Sequence, residues 1–273
     1  MKTFLLRTIS GAVYVVAVVA SIFGGPFIFG ILFAVLMVLG LFEFHKLIST
    51  KNKLPGKFLL IILGLVFYIT FLSYIWQWIT VNFLLIAIPV IFLLPIIALY
   101  LNSANPIRDI GLVLFGLVYI VTPMALINLF FYRNFDFNIP GYEMLLSFFL
   151  ILWVNDTFAY LAGISFGRNK MTERISPNKT WEGFFGGLAG SLISGYVLSL
   201  FFFELNLIQW FGFSIIVVIF GTFGDLFESL LKRTYGVKDS GNLIPGHGGI
   251  LDRLDSLLIA TPFIFLYFVF LNN

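Results

Sequence analysis

The sequence predicts an all-α polytopic integral membrane protein of about nine transmembrane helices, N-terminus cytoplasmic and C-terminus outside. Mean hydropathy is +1.04. Of the 273 residues 60% are hydrophobic, and 35 are Phe, more apolar surface than one soluble core of this length could bury. Apolar runs of about twenty residues recur along the chain, the length a helix needs to cross the hydrocarbon layer. Only 11% of residues are charged, and the cations are segregated between the runs. The absence of Cys excludes disulfides and thiolate metal sites, and a net charge of +3 on such a chain points to topology rather than to nucleic-acid binding.

The first span is expected at 9–23 and stops at Gly24-Gly25-Pro26, a poor continuation for any helix. The opening MKTFLLR has a signal-peptide look, but Ala17 to Ser21 offers only a weak cleavage pattern, so an uncleaved helix is favoured. The second span, 27–44, leads into a basic loop carrying His45, Lys46, Lys51, Lys53 and Lys57. Further spans are expected at 58–77, 81–101, 110–132, 144–164, 181–203, 210–231 and 254–271. The first two segments also fit a re-entrant pair, which would invert the later topology. Trp76, Trp78 and Trp210 read as membrane-interface anchors. Functionally the chain divides into a lipid-embedded scaffold, 1–142, and a half with cytoplasmic catalytic loops, 143–273.

Charge tests the count independently. With a cytoplasmic N-terminus the inside segments are 1–8, 45–57, 102–109, 165–180 and 232–253, and they hold all of the 16 Lys and Arg except Arg133. Such a bias is what the positive-inside rule requires.

Chemistry concentrates in 224–255, GDLFESLLKRTYGVKDSGNLIPGHGGILDRLD. Asp225, Glu228, Ser229 and Lys232 share one helical face, and carboxylates inside a span need pairing, water or a cation. A Glu228–Lys232 helix pair with a buried Asp225 hydrogen-bonded to a neighbouring helix is the structural alternative. Beyond lie Arg233, then Lys238, Asp239 and Gly241, and then Pro245-Gly246-His247-Gly248-Gly249. Glycines admit an anion close to backbone amides and cations add charge, the usual way to hold phosphate. Asp252, Arg253 and Asp255 follow in a first helical turn, where capping would also explain the acids. Carboxylates beside such a loop fit Mg²⁺ held together with substrate phosphates, and leave room for a second cation.

A second polar stretch runs from Arg168 and Lys170 to Ser176, Asn178, Lys179, Thr180 and Glu182, with Thr180 placed to cap the next helix. Asp156, beside Asn155 and one turn before Tyr160, is an acid well inside a span and therefore a site candidate. Gly183, Gly186, Gly187 and Gly190 are spaced for close helix packing. Glu43 reads as interfacial, with a substrate role the lesser alternative.

The ordered run Ser229, Lys232, Arg233, Lys238, Asp239, Gly241, Pro245, His247, Gly248, Gly249, Asp252, Arg253 and Asp255 resembles the signature of the phosphatidate cytidylyltransferases, or CDP-diacylglycerol synthases. Asp156 to Tyr160 and the SPNKTWEG segment are similar to that family as well. The resemblance implies that CTP and phosphatidic acid of the bilayer give CDP-diacylglycerol and pyrophosphate, with Mg²⁺ required, at the cytoplasmic face of the cytoplasmic membrane. Under it Asp225, Asp252, Asp255 and Glu228 are expected to hold metal. Lys232, Arg233, Lys238, Asp239, His247 and Arg253 join the catalytic set, while Asp156, Ser176, Asn178, Lys179, Thr180, Ser229, Gly248 and Gly249 bind substrate. CTP, phosphatidic acid and membrane lipids are the implied partners, no nucleic acid is expected, and a homodimer is left open. A CTP-dependent lipid kinase and an ion-coupled transporter relaying through Asp156, Asp225 and Glu228 are the rival readings.

Overall fold

The structure, a computed structural model, describes residues 2–49, 57–100, 105–131, 140–241, 243 and 248–271. It is nearly all-α, as the sequence predicts. Among the described residues seven stretches are long and apolar enough to cross a membrane: Pro26–Ile48, Phe58–Ile75, Pro106–Phe131, Gly141–Phe166, Trp181–Phe201, Leu207–Thr234 and Leu251–Leu271. The expected first and fourth spans coincide with shorter apolar runs, Thr8–Phe23 and Ile91–Tyr100. Arg133, Lys51 and Lys53 of the charge argument lie outside the described residues.

The chain gathers into two units, Met1–Tyr132 with Tyr235–Arg253, and Arg133–Thr234 with Leu254–Asn273. The first contains α1 (Lys2–Phe23), α2 (Pro26–Ile48), α3 (Lys57–Ile75), α4 (Ala87–Tyr100), α5 (Pro106–Gly116) and α6 (Thr122–Leu126). Gly25 separates α1 from α2 at φ 87°, a conformation glycine adopts without strain, and Pro26 then opens α2, where its missing N–H costs nothing. A 3₁₀ segment, Val81–Ile86, precedes α4, and Pro95 lies inside that helix; both shorten the regular run available to the expected fourth span. Between α5 and α6 the backbone widens into a π turn, Leu117–Val121. Pro123 follows and can give no N–H to the Tyr119 carbonyl, which accounts for the irregularity.

Phe29, Phe33, Met37, Leu41 and Phe44 of α2 form the core of this unit, with Phe29 and Phe33 stacked at 4.1 Å. Three polar groups inside it bond to one another, which lowers the cost of burying them in an apolar medium. The Tyr68 hydroxyl donates to the Gly30 carbonyl at 2.8 Å, and Asn128 Nδ2 donates to the Tyr68 oxygen at 3.1 Å and to the Met124 carbonyl at 2.8 Å.

The second unit contains α7 (Gly141–Phe166), strands β1 (Lys170–Thr172) and β2 (Ser176–Thr180), α8 (Trp181–Phe201), α9 (Leu207–Thr234) and α10 (Leu251–Leu271) from Leu254 onward. The helix α7–α8 contact runs along the predicted glycine stripe. A Cβ at Gly186 would collide with Ala162, one at Gly187 with Asn155, and one at Gly190 with the Phe158 ring. Helices α9 and α10 meet through aromatic faces, Phe220 on Phe263 at 3.5 Å and Phe213 near Phe268, and the Tyr267 hydroxyl donates to the Gln209 carbonyl at 2.7 Å. Two sequence expectations change here. Trp210, read as an interface anchor, is 1% exposed, and its indole N–H donates to the Phe202 carbonyl, so its polar end is satisfied inside the protein. The stretch 165–180, expected to be all loop, contains the antiparallel β1–β2 hairpin, with Lys170 opposite Thr180 and Thr172 opposite Ser176.

Candidate functional site

The second unit encloses a cavity of about 650 Å³, within the range of small-molecule sites. Helix α7 contributes Asn155, Asp156, Ala159, Tyr160, Gly163 and Ile164; the hairpin contributes Ser176, Asn178, Lys179 and Thr180; α9 contributes Thr222 and Asp225. The register of the hairpin shifts between the Thr172–Ser176 and Lys170–Thr180 pairs, an irregularity in β2 that goes with consecutive residues, Asn178, Lys179 and Thr180, all lining the cavity. Six residues singled out from the sequence, Asp156, Ser176, Asn178, Lys179, Thr180 and Asp225, therefore share one cavity. Tyr160, Ile164 and Phe184 give the same cavity an apolar wall.

The hairpin is fixed at both ends. The Thr180 hydroxyl accepts from the Gly183 amide at 3.1 Å, the cap predicted for α8, so part of its bonding capacity is structural. Glu182, given no role from sequence, accepts from the Arg168 amide at 3.1 Å, the Asn169 amide at 3.2 Å and Asn169 Nδ2 at 2.7 Å. This ties the entry of the hairpin to the first turn of α8. An acid one turn into a helix after a Thr cap was the available signal.

Lys179 reaches Asp225 at 2.5 Å; the two side chains are 24% and 38% exposed. Asp225 also accepts from the Ser229 hydroxyl at 3.4 Å along α9. One turn on, buried Glu228 pairs with Lys232, as the structural alternative anticipated. Lys232 is thus engaged inside its own helix. Arg233 Nε donates to the Ile175 carbonyl at the hairpin turn, at 3.3 Å. Asp255 of α10, whose own Oδ1 accepts from the Ser256 amide at 2.6 Å, feels the charges of Asp225, Glu228 and Asp156.

Among the described residues no three His, Asp or Glu side chains form a ready-made metal cage. Mg²⁺ does not need one, because it is commonly held by one or two carboxylates together with water and substrate phosphates. Asp225, which lines the cavity, offers oxygen donors of the kind that ion takes.

The first unit contains a different arrangement. Asp252, at the start of α10, accepts through Oδ2 from the Gly249 amide at 2.7 Å, the Ser240 hydroxyl at 3.0 Å and the Ser240 amide at 3.2 Å. Gly248 adopts φ 81° beside it. Lys238, Asp239 and Arg253 are exposed. His247 lies outside the described residues. Sequence reading treated Glu43 as interfacial, yet it is 1% exposed, and its Oε2 accepts from the Leu251 amide at 3.0 Å and the Ser240 hydroxyl at 3.2 Å.

The sequence model of the Cytidylyltransferase family matches residues 5–271. A Haemophilus influenzae phosphatidate cytidylyltransferase is 31% identical over 97% of this chain and 98% of its own length. Relatives of the same description from Staphylococcus aureus strain COL and Staphylococcus haemolyticus are 48% and 52% identical over 136 and 124 residues. Those matches cover 49% and 45% of this chain, and they span only about half of each staphylococcal relative, 51% and 47%.

Proposed function

Because the chain belongs to the cytidylyltransferase family, we propose that it transfers the CMP group of CTP to phosphatidic acid, giving CDP-diacylglycerol and pyrophosphate for phospholipid biosynthesis. The observation that carries this reading is the cavity in which Lys179 and Asp225 meet beneath Ser176, Asn178 and Thr180, with an apolar wall along Tyr160 and Ile164. Such a lining suits an amphiphile whose phosphate meets charge while its chains stay among apolar groups.

A phosphatidate oxygen attacks the α-phosphorus of CTP, and the bond from that phosphorus to the bridging oxygen breaks, releasing pyrophosphate. The nucleophile is already ionised at neutral pH, so no strong base is needed. The difficulty is to bring two polyanions together and to stabilise the charge that departs. Lys179 supplies positive charge in the cavity, and Asn178, Ser176 and Thr180 offer hydrogen bonds that orient phosphate oxygens. Asp225, Asp255 and Glu228 are the residues of the second unit that would hold Mg²⁺; Asp252, of the first unit, is a metal candidate by its signature position alone. When bound, the ion neutralises phosphate charge and the leaving pyrophosphate. Lys238, Arg253 and His247 belong to the nucleotide side of the reaction. The membrane is the cytoplasmic one, N-terminus inside, with the site facing the cytoplasm where CTP is dissolved.

The test is product analysis in mixed micelles with labelled CTP, phosphatidic acid and Mg²⁺, beside Asp225→Asn. Label should enter the lipid phase as CDP-diacylglycerol, with one pyrophosphate released per product. Chelation should abolish transfer and added Mg²⁺ restore it, while Asp225→Asn should lose activity by about a hundredfold or more. Transfer of only the terminal phosphate to lipid would identify a kinase and overturn the proposal. Full activity of Asp225→Asn at ordinary Mg²⁺ would overturn the metal assignment.

A further inference from the structure

The glycines that border Ser240 and Leu251 close on a carboxylate of the protein itself. Glu43 stands near the end of α2, 1% exposed, and receives hydrogen bonds from Ser240 Oγ and the Leu251 amide on Oε2. Gly241 backs against Oε1, and Gly249 against Oε2 and Ser240 Oγ; a Cβ at either position would collide with them. Among the described residues Glu43 Oε1 is buried with no hydrogen-bond partner, so the fold leaves one oxygen of this acid incompletely satisfied to keep it in place. Ser240 is the junction, since its hydroxyl also reaches Asp252 Oδ2 and its amide donates to the same oxygen. Gly249 completes the ring by donating to Asp252.

The described ends of this loop, Lys238–Gly241 and Gly248–Arg253, are therefore joined through Glu43, Ser240 and Asp252. Those ends carry Lys238, Asp239, Asp252 and Arg253. The glycine spacing that suggests a phosphate cradle is here matched to an internal carboxyl group. We propose that Glu43 is a positioning residue for cytidylyl transfer, a hydrogen-bond acceptor fixed in α2 to which the described ends of the signature loop are tied and without which those charged ends lose their places. The proposal rests on the reading of function given above. Glu43 acts through the loop backbone and touches no substrate.

The experiment compares the full chain in detergent micelles as wild type, Glu43→Gln, Glu43→Asp and Gly249→Ala, by steady-state kinetics, thermal unfolding, and hydrogen exchange of the amides at 248–253. Gln keeps a carbonyl oxygen for the Leu251 amide and Ser240, and is expected to retain activity within about threefold. Asp withdraws the carboxylate by roughly one methylene, and a displacement of that order at a positioned group lowers kcat by about a hundredfold. The KM for phosphatidic acid should stay unchanged, exchange at 249–251 should accelerate, and unfolding should remain near that of wild type. Gly249→Ala crowds the carboxylate from the opposite side and should reproduce the kcat loss if the Asp variant does not fold. Wild-type kcat in both Glu43→Asp and Gly249→Ala, or Gln as damaged as Asp, overturns the proposal. Wild-type protein without product overturns the functional reading instead, and in that case unchanged exchange in Glu43→Asp separately overturns the anchoring of the loop.

Discussion

Replacing Lys179 by Met separates a structural ion pair from a charge that serves substrate. Lys179 and Asp225 are 24% and 38% exposed, so solvent screens their attraction. As a contribution to folding such a pair is worth about 1 kcal/mol or less. In a chain of 273 residues a loss of that size lowers the unfolding temperature by only about 2–4 °C. A cation that meets the charge building on phosphate during transfer is a different quantity: two unit charges at 4 Å interact by about 4 kcal/mol at an effective dielectric constant of 20. Loss of one such electrostatic donor costs about 10²–10³-fold in kcat. Lys179→Met should therefore lose at least about a hundredfold in CDP-diacylglycerol formation, with unfolding nearly unchanged, and Lys179→Arg should recover part of it because the charge is kept. The assay is initial rate against CTP and phosphatidic acid, run beside thermal unfolding of the same preparations. Combining Lys179→Met with Asp225→Asn adds a sharper test. If the two residues matter only to each other, the double variant is no worse than the poorer single one. That result, or Lys179→Met with kcat within threefold of wild type, would refute the reasoning.

Glu182→Gln removes the negative charge on which two backbone amides and Asn169 converge, so the hairpin entry should loosen; limited trypsin digestion should cut faster after Arg168 or Lys170, and unchanged cleavage would deny Glu182 this role. Glu228→Gln removes the charge paired with Lys232 in a buried setting, with the side chains 1% and 13% exposed, and should cost about 3 kcal/mol of stability and raise the Mg²⁺ concentration needed by the residual activity. An unchanged Mg²⁺ requirement in that variant would remove Glu228 from the metal set and leave it a purely structural partner of Lys232.

The parts of this molecule legible in the sequence are those encoded locally. The break between α1 and α2 follows from Gly25 and Pro26, the start of α8 from Thr180, and the α7–α8 contact from a glycine repeat on one helix face. The cavity was legible residue by residue, because acids and lysines in so apolar a chain stand out. Their pairing was not, since Lys179 reaches Asp225 of α9 from a hairpin whose strands are three and five residues long. Strands that short carry no useful hydrophobic alternation. Glu43 illustrates the same limit more severely, its partner Leu251 being 208 positions away. At the end of an apolar helix, next to His45 and Lys46, an acid looks interfacial until that partner is known. Trp210 was misread for the related reason that a Trp near a span end anchors at an interface only if nothing in the protein accepts its N–H.

Four acids of this chain are compensated in two ways that differ in what they permit. Asp252 and Glu43 are held by backbone amides and by Ser240, groups that cannot leave without unfolding the loop. Asp225 and Glu228 are held by lysines, whose flexible stems allow the ammonium to move. Of these two pairs, Glu228–Lys232 is the more buried, and opening it would strand charge away from water. Lys179–Asp225 borders the cavity and is partly solvated, so an entering phosphate can draw the lysine toward itself at small cost and leave the carboxylate to a divalent ion arriving with that phosphate. By this argument Asp225 ranks ahead of Asp252 and Glu228 as the carboxylate whose loss should most directly raise the Mg²⁺ concentration needed for half-maximal rate.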